Sequence, residues 1–225
     1  MLIAISHGVG CNAGMRLGVI VTLVALAGLL AGEWCERRGW IWLAKPVASL
    51  GFIVMAVSLG PASGYGQLML GGMVACALGD VLLIPRDSER SFKAGIGAFA
   101  VGHICYVMAF TRWPLRVPVL IASGAGLAVL GYVVLRYLKP HIPTGLVAAV
   151  SGYVAIIVVM AACALSVTAA GGDMRIALGA VLFFLSDLSV ARDAFVQRAF
   201  INRAWGLPLY YAAQLILAST VASAV

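Results

Sequence analysis

Apolar stretches recur along the chain, separated by short segments rich in charge, glycine and proline. A helix rises about 1.5 Å per residue, so about 20 apolar residues cross the ~30 Å hydrocarbon core of a bilayer. The pattern predicts helices at about 16–33, 40–59, 66–84, 93–111, 117–137, 145–169, 174–192 and 205–224. The expected fold is all-α: a polytopic membrane protein, a bundle of eight transmembrane helices in a single domain over residues 1–225.

Composition supports this picture. Of 225 residues, 63% are hydrophobic and 10% are charged, against roughly 45–50% and about 25% in soluble domains. That excludes a soluble enzyme, a disordered chain and a disulfide-stapled secreted domain. Five cysteines, Cys11, Cys35, Cys76, Cys105 and Cys163, form no CxxC pair and read as small buried hydrophobes. The first fifteen residues lack a basic region before their apolar stretch, so no cleaved signal peptide is expected.

The formal net charge of +7 does not point to nucleic acid, because the basic residues are scattered over loops. Ten lie after helices 1, 3, 5 and 7: Arg37, Arg38, Arg86, Arg90, Lys93, Arg136, Lys139, Arg192, Arg198 and Arg203. Four lie on the opposite side, Arg16, Arg112, Arg116 and Arg175, and Lys45 lies within a span. This bias places the odd-numbered loops in the cytoplasm. Both termini are then outside it, in the inner membrane of a bacterial cell. Gly72 precedes Asp80 by eight residues, as Gly179 precedes Asp187, the pattern that two parallel four-helix repeats would leave.

Polar residues inside the spans carry the chemistry. A carboxylate at such depth costs on the order of 3 kcal/mol on insertion scales and usually faces a partner or a wet cavity. Asp80 and Asp187 are two such residues, with Lys45, His103, Tyr210, Tyr211 and Gln214 nearby in depth. A lysine this near a helix end can equally snorkel to the interface, and a buried histidine can simply bond a neighbour. Counted along the predicted helices, all of these fall in one half of the membrane. One polar cavity built from helices 2, 3, 4, 7 and 8 is expected, with helices 1, 5 and 6 as scaffold.

Two buried carboxylates can divide the work of acid and base, one protonated and the other ionised, which suits hydrolysis of an acid-labile bond. No GxSxG nucleophile motif occurs. His7, His103 and His141 are too dispersed for a zinc site. Leu78-Gly79-Asp80 matches only half of the GxGD pattern of intramembrane proteases. A small-molecule or lipid transporter with a one-sided cavity is the alternative, since ionisable residues at depth also mark ion pathways.

Several short motifs fall in order from helix 2 to helix 8: Lys45-Pro46, Leu78-Gly79-Asp80-Val81-Leu82-Leu83, Gly97-Ala98-Phe99 with Gly102-His103-Ile104-Cys105-Tyr106, Gly179-Ala180-Val181-Leu182-Phe183 with Ser186-Asp187, and Tyr210-Tyr211 with Gln214. In these the chain resembles the YhhN-like lysoplasmalogenase family of multi-pass membrane proteins. The resemblance implies hydrolysis of the vinyl ether bond of a lysoplasmalogen to a fatty aldehyde and glycerophosphoethanolamine or glycerophosphocholine. It implies no metal or organic cofactor, and the expected partners are the lysophospholipid substrate and membrane lipids, with no nucleic acid. Asp80 and Asp187 would then be catalytic, one giving a proton and the other orienting water. Tyr210 and His103 would position glycerol or water, and Lys45 would hold the phosphate or an aspartate. Tyr106, Ser186, Tyr211 and Gln214 would support the site.

Overall fold

A computed structural model describes residues 2–223, with side chains from residue 13 onward, so His7 and Cys11 lie outside the described side chains. Eight long helices follow one another: α1 (Leu2–Trp34), α2 (Arg38–Ser58), α3 (Gly64–Leu82), α4 (Glu89–Phe110), α5 (Val117–Leu138), α6 (Val147–Ala169), α7 (Met174–Ala191) and α8 (Phe200–Ala218). No strand occurs among the described residues. The connections are short. Two 3₁₀ turns join α5 to α6, and a π turn over Arg192–Val196 follows α7. Ser63 and Ser88 cap α3 and α4 by accepting from Gly66 and Ser91 N–H groups, as expected of serine at a helix start.

Seven of these helices are long and apolar enough to cross a membrane, by length and composition; α8 is not among them. Its sequence is diluted by Asn202, Arg203, Pro208, Tyr210, Tyr211 and Gln214, of which all but the proline make hydrogen bonds inside the bundle. It also begins at Phe200 rather than 205 and ends at Ala218 rather than 224. α4 likewise begins at Glu89, four residues before its apolar run. Residue counts from a predicted helix end are therefore poor measures of depth. From the observed ends Asp80 and Asp187 are about 3 and 6 Å in, but Tyr210 and His103 about 15 and 21 Å.

Sequential helices pack as the pairs α1–α2, α3–α4, α5–α6 and α7–α8. α6 joins α4 to α7, and α8 closes the bundle against α1 and α2. The core holds Phe52, Met69, Met73, Phe110, Phe183 and Leu217, all fully buried. Outward faces carry Val24, Leu43, Val54, Leu78, Ile121 and Val133, an apolar exterior suited to lipid. Cys76 and Cys163 are buried as expected, but Cys35 is exposed, because it lies in the turn after α1 rather than in a span.

The α3–α4 contact positions the site and depends on glycine. A Cβ on Gly102 would stand 2.5 Å from Cys76 Sγ and 3.0 Å from the Gly72 carbonyl oxygen. Replacing Gly102 with valine is expected to destabilise the protein by about 1–3 kcal/mol, the usual effect of overpacking. A lowered thermal midpoint in detergent is the check; an unchanged midpoint would show that the helices separate freely.

Candidate active site

Asp80 lies in the last turn of α3 and is 2% exposed. Lys45 and Ser49 stand one turn apart on α2 and therefore on one face. The Lys45 Nζ is 3.4 Å from Asp80 Oδ1, and the Ser49 hydroxyl donates to Oδ2 at 2.7 Å. From α8 the Tyr210 hydroxyl donates to the same oxygen at 2.6 Å. Three donors thus converge on one carboxylate. A second layer fixes them. Tyr211 donates to the Lys45 carbonyl at 3.3 Å and lies 3.5 Å from the Ser49 hydroxyl. Gln214 Nε2 lies 3.4 Å from the Tyr210 hydroxyl, and Tyr106 donates to Gln214 Oε1 at 2.7 Å.

Asp187, in the last turns of α7, has a separate set of partners. The Tyr153 hydroxyl of α6 donates to its Oδ1 at 3.2 Å. His103 of α4 places Nε2 3.5 Å from its Oδ2. The other ring nitrogen, Nδ1, is 2.7 Å from the Phe99 carbonyl oxygen. A carbonyl only accepts, so Nδ1 carries a hydrogen and Nε2 is left facing the carboxyl group. Neither Nε2 nor Oδ2 has a hydrogen-bond partner among the described residues. At 3.5 Å the two atoms face each other without forming a hydrogen bond. Ser186, beside Asp187, donates to the Phe183 carbonyl at 2.7 Å.

Aromatic rings link the two halves. Phe183 lies 4.5 Å from the His103 ring and 5.3 Å from Tyr210, and Phe99 lies 5.8 Å from Tyr210. Both aspartates line a single cavity of about 480 Å³, within the range of small-molecule sites. It reaches the loops after α3, α5 and α7 through Arg86, Asp87, His141 and Arg198. Val134, Val154, Ile157, Phe184 and Leu188 make one apolar wall. Ion pairs frame the mouth. Buried Glu33 accepts from Arg86 and, at 2.9 Å, from Arg203. Asp87 pairs with Arg38 at 3.0 Å and with Arg198 at 3.5 Å. Hydrogen bonds from Arg38 and then Arg198 hold its carboxyl below the usual range.

All nine residues expected from the sequence therefore border the two aspartates or the network behind them. Lys45, Asp80, Tyr106, Tyr210, Tyr211 and Gln214 form one group; His103, Ser186 and Asp187 form the other. Lys45 is mostly buried and bonded to Asp80 rather than snorkelling. The scaffold role expected of helices 1 and 6 needs correction, since α6 supplies Tyr153 and α1 supplies Glu33. A tyrosine in the most apolar helix and a glutamate at a helix end give little sequence signal on their own. Ser49 was legible only as a hydroxyl one turn from Lys45.

A family model described as the YhhN family matches residues 40–221, from α2 through α8. A Homo sapiens protein named Lysoplasmalogenase TMEM86B is 34% identical over 191 residues, 82% of this chain and 77% of that protein. A Bos taurus protein named Lysoplasmalogenase TMEM86A is 31% identical over 184 residues, covering 79% and 72%. The Uncharacterized membrane protein YhhN of Escherichia coli O157:H7 is 32% identical over 97 residues, 40% of this chain and 45% of its own. No solved structure matches.

Proposed function

Because the chain belongs to the YhhN family, we propose that it is a lysoplasmalogenase, hydrolysing the vinyl ether bond of a lysoplasmalogen with Asp80 and Asp187. The observation that carries this reading is the pairing of each aspartate with its own donor set inside one cavity that is apolar on one side and charged at its mouth. An enol ether breaks when its β carbon takes a proton, which leaves an oxocarbenium ion. Water adds to that cation, and the hemiacetal collapses to aldehyde and alcohol.

The two sites suit different parts of this sequence. Asp80, with three donors on its oxygens, has the environment of a carboxylate, able to stabilise the cation and take a proton from water. Asp187, faced by His103 Nε2, is the acid that delivers a proton to carbon. The proton taken up at Asp80 returns through the cavity water to the pair, so each turnover consumes only water. Phe99, which lines the cavity beside Tyr210, offers a ring near the developing cation.

An offset of 107 residues carries Gly72 onto Gly179, Asp80 onto Asp187 and His103 onto Tyr210. Each aspartate is held by the counterpart residue of the other half, Asp80 by Tyr210 and Asp187 by His103. This supports two parallel four-helix repeats meeting at the site. In that arrangement α8, about 28 Å long, also crosses, and both termini lie outside the cytoplasm of a bacterial cell.

The purified protein in detergent is expected to release fatty aldehyde and a glycerophosphodiester from lysoplasmalogen in equal amounts. Transport needs two compartments and makes no new product, so absence of aldehyde from folded protein would sink the hydrolase reading.

A further inference from the structure

Two guanidinium groups at the cavity mouth are gathered on one buried acid. Arg86, from the loop after α3, and Arg203, from the first turns of α8, both donate to Oε2 of Glu33. The Glu33 side chain is 5% exposed and that of Arg203 16%. Each guanidinium carries five N–H donors, yet here the pair shares a single carboxylate oxygen. The next acid is Asp193. Its Oδ1 is 3.9 Å from Arg203 Nε, too far for a hydrogen bond, and already accepts from the Ala199 N–H at 3.0 Å. Arg203 Nε is buried and has no hydrogen-bond partner among the described residues.

The other cations nearby are committed. Arg198 pairs with Asp87 and donates to the Arg86 carbonyl. Lys45 is bound to Asp80, which removes it as a phosphate ligand. With Glu33 and Asp193 as their acids, Arg86 and Arg203 form a formally neutral cluster that keeps guanidinium donors to spare. Both arginines line the same cavity as Asp80 and Asp187. Arg203 precedes Tyr210 by seven residues on α8, about 10 Å along the helix. Tyr210 touches Asp80, so the span from acid to guanidinium is bridged by two long side chains and a small linker.

We infer that Arg86 and Arg203, held side by side by Glu33, form a subsite for a phosphodiester anion. Planar guanidinium forks match phosphate oxygens in pairs, and Arg203 Nε still has a donor to offer. The substrate is the one reached under Proposed function: its ether oxygen and its phosphate sit on opposite ends of a three-carbon glycerol. With phosphate on the arginines, the vinyl ether reaches toward the aspartates and the hydrocarbon chain runs along the apolar wall. Glu33 is a positioning residue, and the arginines select phospholipid over neutral lipid.

The test compares lysoplasmalogen with 1-alkenylglycerol, which has the same vinyl ether and no phosphate. Arg203→Lys keeps a cation on Glu33 but removes the fork. The ratio of kcat/KM for the two substrates is expected to fall about tenfold or more, through KM for the lysoplasmalogen. An unchanged ratio overturns the subsite. Arg86→Lys makes the same prediction and covers the case in which the first variant does not fold. Glycerophosphoethanolamine should compete with lysoplasmalogen and lose about tenfold potency in either variant, whereas equal potency counts against the proposal. Inorganic phosphate alone, run beside it, separates a free-anion site from one that needs the glycerol. If the wild-type protein releases no aldehyde from either substrate, the hydrolase reading fails and binding decides the subsite. A saturated alkyl lysophosphatidylethanolamine should then raise the thermal midpoint of the wild type more than alkylglycerol does. Loss of that difference in Arg203→Lys supports the subsite, and its persistence overturns it.

Discussion

Asparagine in place of Asp80 is expected to slow aldehyde release by about 100- to 10,000-fold, the range of a lost acid–base group. The loss should fall on kcat, because the residue faces the reacting end rather than the headgroup. Asparagine keeps the volume but not the charge. Its amide puts a donor where Ser49 or Tyr210 now donates at 2.7 and 2.6 Å. It also leaves the Lys45 ammonium, 3.4 Å away, without its counter-charge. Removing one partner of a buried pair costs about 3–5 kcal/mol, so the variant should be less stable as well as less active. Pairing it with Lys45→Met separates the two effects. Stability is expected to recover in the double variant while the rate stays low. Near-normal kcat in folded Asp80→Asn protein would remove this carboxylate from the chemistry.

Asp187→Asn and His103→Gln are each expected to lower kcat by a similar 100- to 10,000-fold, and together by little more than either alone. The reason is that Nε2 and Oδ2 face each other at 3.5 Å with no hydrogen-bond partner among the described residues, so the proton delivered to carbon is assigned to the two groups as one donor. Deleting either group deletes the shared donor, and residues that act as one unit are not additive. Steady-state rates of the two singles and the double measure this directly. Multiplying losses would mean that His103 and Asp187 act separately. Tyr153, bonded to Asp187 at 3.2 Å, belongs to the same unit.

Much of the candidate site was legible in the chain because apolar spans make polar residues conspicuous. Asp80, Asp187, Lys45 and His103 stand out against runs of valine, leucine and alanine, and a bilayer gives each of them a reason to find a partner. Tyr153 and Ser49 do not stand out, because tyrosine and serine occur in membrane helices for packing and interface reasons too. Glu33 looks like one more charge at a helix end, although it is buried against two arginines.

The linear pattern of apolar runs determined the membrane class, the helical architecture and the short list of groups able to do chemistry, since lipid leaves few other ways to satisfy a backbone. Partnership was decided only in three dimensions. Lys45 belongs to Asp80 and His103 to Asp187 because α2 and α8 converge on α3, while α4 and α6 converge on α7. Those pairings depend on how closely helices approach and how far each extends past its apolar run. Glycines such as Gly72 and Gly102 set the first, and the polar ends of α4 and α8 set the second. Contacts between residues a hundred positions apart are fixed by packing, and hydrophobic periodicity carries no record of them.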